Sequence, residues 1–312
     1  MGKILSSILL ILLSAGGMAF GQQLVKVGSM PVTGEIALHA AITKGYFEQE
    51  GIKLELRTVF GGAVLIPAIA GGSLHMGNSA YVSAFVARAR GFDMIILFPY
   101  TTYTRGHDPA AIVVRKDSGI RNAKDLEGKT VAVNSIKGLN WLYAAEWMSK
   151  NRADPKNANW VEVPFPNMVS ALRTKQIDAA CAVEPFISLE VARGGIEVLS
   201  HYLSEVDPAL ELAGLVASEK WVRAHQDLVA RFVRALRKGT DYINANPDKW
   251  PGLLAKYTRL KPELIPRLIM DEHHYPVNIS GLQRSADLAL KWGLLKKRLN
   301  VKKMVWPTAT SK

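Results

Sequence analysis

A single cysteine in 312 residues, Cys181, excludes an internal disulfide, and its apolar neighbours Ala179, Ala180, Ala182 and Val183 mark it as a buried, inert thiol. The seven histidines are dispersed, with only His273 and His274 adjacent, so no His or Cys cluster has the spacing of metal ligands. No phosphate-binding Gly-Lys loop, no Gly-x-Gly-x-x-Gly fingerprint and no ordered Ser, His and Asp set occurs, which removes the sequence support for nucleotide-dependent and nucleophilic catalysis. Beyond the first residues no stretch reaches the ~20 apolar residues of a membrane-crossing helix. Acidic residues are few beside basic ones, 27 against 39, for a net charge of +12. The basic residues are scattered, apart from Lys296, Lys297 and Arg298 and from Lys302 and Lys303, and no aromatic residues interleave with them. That pattern argues against a nucleic-acid surface and leaves a positive field that favours a small anionic ligand.

What is present begins at the N-terminus. Lys3, an apolar run over 4–13, the small residues 14–17 and Ala19-Phe20-Gly21 before Gln22 have the three parts of a secretory signal peptide, with cleavage expected after Gly21. The apolar run is too short to span a membrane comfortably, and no cysteine near the cleavage site would carry a lipid. A soluble, exported, periplasmic protein is therefore expected. Loss of Lys3 with the signal leaves +11, from 38 basic and 27 acidic residues.

The rest alternates between strand and helix patterns. Strands are expected at 24–28 (LVKVG), 52–59, 73–76, 94–98, 110–115 (AAIVVR), 128–133, 160–163, 177–183 and 212–218, with helices at about 35–44, 63–70, 139–150 and 168–174 between them. A further helix is expected to open at Gly77-Asn78-Ser79, with Asn78 or Ser79 as its N-cap. After residue 218 the chain reads as helical: Trp221, Leu228, Val229, Phe232, Val233 and Leu236 share one face, and further helices fall near 249–257, 263–270 and 280–295. The fold class is α/β, with mostly parallel sheets flanked by helices.

In open α/β sheets ligands sit beyond the carboxyl ends of the strands, at loops leading into helices. Here those loops hold Met30 and Thr33, Phe60 and Gly61, Asn78 and Ser79, and Thr101 and Tyr103, then Asn134, Ser135 and Gly138, Asn167, and Glu184. Each has a plainer explanation: core aromatics for Phe60 and Tyr103, a tight turn for Gly61-Gly62, capping for Asn134 and Ser135, and a solvated charge for Lys137. Glu184, at the end of an apolar strand, needs a partner wherever it is buried, either backbone at a hinge or a ligand N–H.

The ordered motifs KGYFEQEGI (44–52), AIAGGSLHMG (68–77), DLEGKTVAV (125–133), ALRTKQIDA (171–179) and VEP (183–185) resemble the substrate-binding proteins of ABC importers in the nitrate, sulfonate and taurine group, together with the related NMT1/THI5-like binders of thiamine-pyrimidine precursors. The resemblance covers essentially the whole chain after the signal. It implies a type II periplasmic-binding fold in which the chain crosses twice between two lobes, near 110–115 and 212–218. Lobe 1 would be 22–111 plus 213–312, and lobe 2 would be 112–212. The ligand would sit in the cleft and the lobes would close on it by hinge motion. A membrane permease is the implied partner, and a monomer with no cofactor, no metal and no enzymatic activity is expected. Helix N-termini favour a sulfonate, nitrate or carboxylate, whereas Arg105 is the one arginine in the cleft loops, so a bidentate anion clamp is not evident. An organic anion therefore ranks ahead of an aminopyrimidine. Two different classes of function also fit this fold, an exported sensory-input module and an enzyme; the synthase branch of the family carries a cysteine-rich iron-binding motif that this chain lacks.

Overall fold

The computed structural model describes residues 22–310 apart from Arg105, His107 and Arg259. The expected signal segment, 1–21, lies outside the described residues, as does Arg105. Among the described residues ten strands form two five-stranded sheets: β1 (Gln23–Ser29), β2 (Ile52–Thr58), β3 (Met76–Ala80), β4 (Met94–Thr104) and β10 (Ala209–Ser218) in the first, and β5 (Ala110–Arg115), β6 (Thr130–Val133), β7 (Asn159–Glu162), β8 (Ala179–Val183) and β9 (Ile196–Ser200) in the second. The first runs in the order β2-β1-β3-β10-β4 and the second β7-β6-β8-β5-β9. β10 is antiparallel to both its neighbours and so is β5, while every other pairing is parallel. Each sheet is thus four co-directed strands plus one reversed strand, and the reversed strands are the first after each crossing of the chain. The short central strands read AACAV and TVAV because helices cover both faces, where near-continuous apolar runs replace alternation.

Several boundaries differ from the sequence expectations, each for a tertiary reason. β3 takes up Asn78 and Ser79, so neither caps a helix; the helix is Tyr81–Ala89, with Ala80 at its N-cap and no side-chain cap. The cause is pairing on both sides. β1 flanks β3 on one edge, where Gly77 lies against Gly28 so closely that a Cβ on Gly77 would stand 2.8 Å from the Gly28 carbonyl oxygen, and β10 flanks it on the other. β4 continues through Pro99 to Thr104 because it is the edge strand, where a missing N–H is tolerated, and its pairing with β10 shifts register around that point. β9 has no counterpart in the sequence expectations; it pairs antiparallel at the edge of the second sheet. The expected 263–270 helix is a 3-10 segment, Pro262–Arg267, with Pro266 inside it.

The helix Gln226–Ala245 buries Leu228, Val229, Phe232, Val233, Leu236, Gly239 and Ile243, the i, i+3, i+4 stripe of a helix packed on one face. It lies against the helix Ile36–Thr43, and Gly239 sets how near it comes: a Cβ there would stand 2.3 Å from the Ala37 carbonyl oxygen. A later helix, Ile279–Lys291, ties the two halves of the molecule. Ser285 hydrogen-bonds Tyr143 at 2.8 Å and Lys291 pairs with the buried Glu146 at 2.7 Å, both partners lying on the helix Leu139–Lys150 that follows β6.

Candidate functional site

The carboxyl ends of β1, β3, β6 and β8 converge on a cavity of about 80 Å³ between the two sheets. From the first sheet's side Met30, Thr33, Gly61, Asn78, Thr101 and Tyr103 line it; from the second sheet's side Asn134, Ser135, Gly138 and Glu184 do. Three residues expected with them are placed elsewhere. Ser79 is turned to the opposite face from Asn78 by the two-residue period of β3, and its hydroxyl donates to the Ala80 carbonyl. Asn167 lies in the first turn of the helix Phe165–Arg173 and borders a separate depression with Thr130 and Gln176. Phe60 is half-buried beside the wall, and Gly61 and Gly62 face the cavity in its place.

The first sheet's wall is organised by a residue the sequence did not single out. Glu35 is fully buried, and its carboxylate accepts from the Met30 N–H at 2.8 Å, from Asn78 Nδ2 at 2.9 Å and from the Ser29 hydroxyl. Burial pushes its pKa up to about 7 against the lowering effect of these three donors. Because both Glu35 oxygens accept, the Asn78 amide nitrogen faces inward. Its Oδ1 has no protein partner, and Thr101 Oγ1 and Asp271 Oδ2, also on the cavity residues, have none.

On the second sheet's side the amide Asn134 is held in the opposite sense, beside the Glu184 carboxyl. The buried Tyr202 hydroxyl donates to Asn140 Oδ1 at 2.6 Å, and Asn140 Nδ2 donates to Asn134 Oδ1 at 2.8 Å, which leaves Asn134 Nδ2 as a donor. That nitrogen stands 3.2 Å from where a Cβ on Gly61 would lie, so the two sides of the cavity nearly touch there. Two helices begin on the cavity from opposite sides, Gly62–Ala70 after Gly61 and Leu139–Lys150 after Gly138, and neither has a side-chain cap. Their first-turn N–H groups and positive dipole ends are open to an acceptor.

Asp271 and Glu184 bring carboxyls to the wall, and no Arg or Lys lines it among the described residues. Glu184 is buried and held by the Ser188 N–H and hydroxyl and, at 3.4 Å, by the Ile269 N–H; its own N–H donates to the Pro109 carbonyl at 2.7 Å. It thus accepts from backbone N–H groups while facing the cavity, and burial raises its pKa. Asp271 is reachable by no sequence signal: it follows the 3-10 segment and enters beside Gly34, where a Cβ would meet Thr101 and Asp271. Asn140, Ser83 and Phe165 also line the cavity unforeseen, Asn140 because it sits inside a helix and not in a loop.

Burial pushes Asp271 up to about 7 from an ordinary 3.8, with the Thr33 and Tyr103 hydroxyls lowering it in part. A carboxyl raised in this way favours the fold most below its unfolded pKa, and that contribution is lost as the pH rises through about 7. Glu35 and Glu211 act in the same sense, whereas His39 and His273, lowered by burial to about 4, favour the fold above their ordinary value and lose that contribution as the pH falls through about 4. Asp271→Asn removes one of these titrations and leaves the others. Its stability relative to wild type is expected to improve from pH 4 to about pH 7 and to level off above that in denaturant melts; a constant difference would mean that folding does not raise the Asp271 pKa.

The family profile described as NMT1/THI5 like matches residues 33–250. This chain belongs to the NMT1/THI5-like family. Of solved structures, the ligand-binding component of an ABC-type import system from Staphylococcus aureus superposes with a TM-score of 0.78 at 18% identity, over 92% of this chain and 98% of that one. The alkanesulfonate-binding protein SsuA from Xanthomonas axonopodis pv. citri, bound to MOPS, superposes with a TM-score of 0.77 at 20% identity, over 91% and 98%. These likenesses show that this NMT1/THI5-like protein has the periplasmic-binding-protein fold. Among curated relatives, the 4-amino-5-hydroxymethyl-2-methylpyrimidine phosphate synthase of Aspergillus parasiticus is 24% identical over 247 residues, 72% of this chain and 66% of the relative. The chain spans about two thirds of the length of the first curated relatives it matches.

Proposed function

We propose that the protein is the solute-binding component of an ABC importer, working in the periplasm, and that it captures a small organic anion between two lobes that close about a hinge. Lobe 1 is read as 22–111 plus 213–312 and lobe 2 as 112–212. The observation that carries the reading is the pair of uncapped helix N-termini, at Gly61-Gly62 and at Gly138-Leu139, meeting across one cavity from opposite sheets. Together with Asn134 Nδ2 they give an anion hydrogen-bond donors from both lobes, so binding and closure support one another. The names of the superposed structures, an import-system component and a sulfonate binder, support the same reading. A synthase-like activity, which the name of one curated relative carries, is the second reading. Delivery of the bound solute to a membrane permease, as a monomer, completes the proposal.

The test is a thermal-shift screen against sulfonates, nitrate, carboxylates and aminopyrimidines, followed by small-angle scattering. A ligand at 100 times its Kd stabilises the protein by about 2.7 kcal/mol, a shift of several degrees for a chain of this size. The radius of gyration is expected to shrink with the best-binding anion. Saturation with no change in radius would count against hinge closure, and stabilisation by no anion would count against the ligand class.

A further inference from the structure

The two amides that line the cavity, Asn78 and Asn134, ask for different things. We propose that the solute is bifunctional, with an anionic group at the Asn134 side and an amino group at the Asn78 side, and that Asn78 and Asp271 receive the amino group while Glu35 positions Asn78. This rests on the anion-binding reading above and extends it to the other end of the ligand.

The argument follows hydrogen-bond direction. A carboxylate can only accept, and Glu35 already accepts from Ser29, from Met30 N–H at 2.8 Å and from Asn78 Nδ2 at 2.9 Å. The Asn78 side chain turns its NH₂ to Glu35 and not to the cavity, and its Oδ1 is left as a buried acceptor without a partner. Asp271 Oδ2 is in the same condition, 3% exposed as a residue, and Thr101 Oγ1 beside them is unpartnered as well. Unfilled buried acceptors are costly, and a group with several N–H donors fills them at once. A sulfonate or carboxylate oxygen at the same place would oppose Asn78 Oδ1 and Asp271 with more lone pairs. On the facing wall the Tyr202 to Asn140 to Asn134 relay fixes the opposite sense, ending on a donor. The two amides, Asn78 and Asn134, are thus locked in opposite orientations by buried partners, and a solute carrying one acceptor end and one donor end satisfies both.

Isothermal titration of the purified protein with matched pairs tests this: taurine against ethanesulfonate, β-alanine against propionate, and 4-aminobutyrate against butyrate, with 4-aminopyrimidine as an amine that lacks an acid. The amino member of at least one pair is expected to bind at least ~30-fold more tightly than its desamino partner, as is usual where a site built for a hydrogen bond loses its partner. In Glu35→Gln, where the Asn78 amide is free to reverse, and independently in Asn78→Leu, that ratio is expected to fall towards one. Equal binding of both members of a pair overturns the amino subsite and leaves the anion reading standing. Binding of 4-aminopyrimidine alone, lost in Glu35→Gln, supports the amino subsite and overturns the anion reading. Binding by none of the seven overturns both.

Discussion

Asn134→Asp is expected to weaken binding of a sulfonate or carboxylate at least ~100-fold while leaving the melting temperature within a few degrees of wild type. The substitution is isosteric, and the aspartate still offers an oxygen to the Asn140 amide that now donates to Asn134 at 2.8 Å. What changes is the group turned to the cavity: a donor nitrogen becomes a second carboxylate oxygen in a site that already holds Asp271 and Glu184 and, among the described residues, no Arg or Lys. Like charges brought together at a desolvated contact cost several kcal/mol, and 2.7 kcal/mol is already a factor of about 100. Calorimetric titration with the best-binding anion, alongside a melt of the unliganded variant, separates affinity from stability. Affinity within tenfold of wild type would take Asn134 and the helix N-terminus behind it out of the anion site.

The largest expected effect on stability lies far from the cavity. Gly239 sits in mid-helix, where Ala would normally add about 1 kcal/mol through helix propensity. Here the sign is expected to reverse. A Cβ at this position would lie 2.3 Å from the Ala37 carbonyl oxygen and 2.9 Å from the Ala41 Cβ, so the helices Gln226–Ala245 and Ile36–Thr43 would have to separate. The nearest obstacle is backbone, which cannot turn aside as a side-chain tip does. Overpacking of this kind costs about 1–3 kcal/mol and occasionally more. Gly239→Val, with a branched side chain at the contact, is expected to lose about 3 kcal/mol and to melt about 6 °C or more below wild type. Differential scanning calorimetry checks it; a Gly239→Ala midpoint at or above wild type would mean that the helix pair opens without strain.

Much of the architecture was legible because hydrophobic period and glycine placement are local. The strand patterns at 24–28, 52–59 and 110–115, the stripe from Leu228 to Leu236 and the motifs shared with binding proteins all survive in the structure. What the sequence hid depends on partners far along the chain. Asn78 and Ser79 look like caps until β10, which comes after the whole second sheet along the chain, is seen to flank them, and the period of two then gives one to the cavity and takes the other away. Glu35 reads as an ordinary first-turn acid; only the return of β3 beside β1 brings Asn78 to it. Asp271 carries no signal, since an acid that follows Leu268, Ile269 and Met270 and precedes Glu272 reads as surface until the segment is found pressed against Gly34 and Thr101. The amide orientations that give the cavity its two ends are a further step removed, being set by the buried Glu35 and Tyr202 behind the wall.

The insertion of β10 between β3 and β4 has a consequence in time as well as in space. A chain made from its N-terminus holds β4 without a strand to pair with until residues 209–218 exist, because among the described residues β10 is its one neighbouring strand in the sheet. The second sheet, by contrast, lies wholly within 110–200 and needs no strand from outside that span. Once it forms, the pairing of Ile112 with Ser200 sets its entry and exit side by side. A closure that would have spanned a long stretch of loose chain then spans a short link on either side of a folded body, and the entropy of bringing β10 home falls accordingly. The inserted sheet is in this sense the scaffold on which its host completes itself.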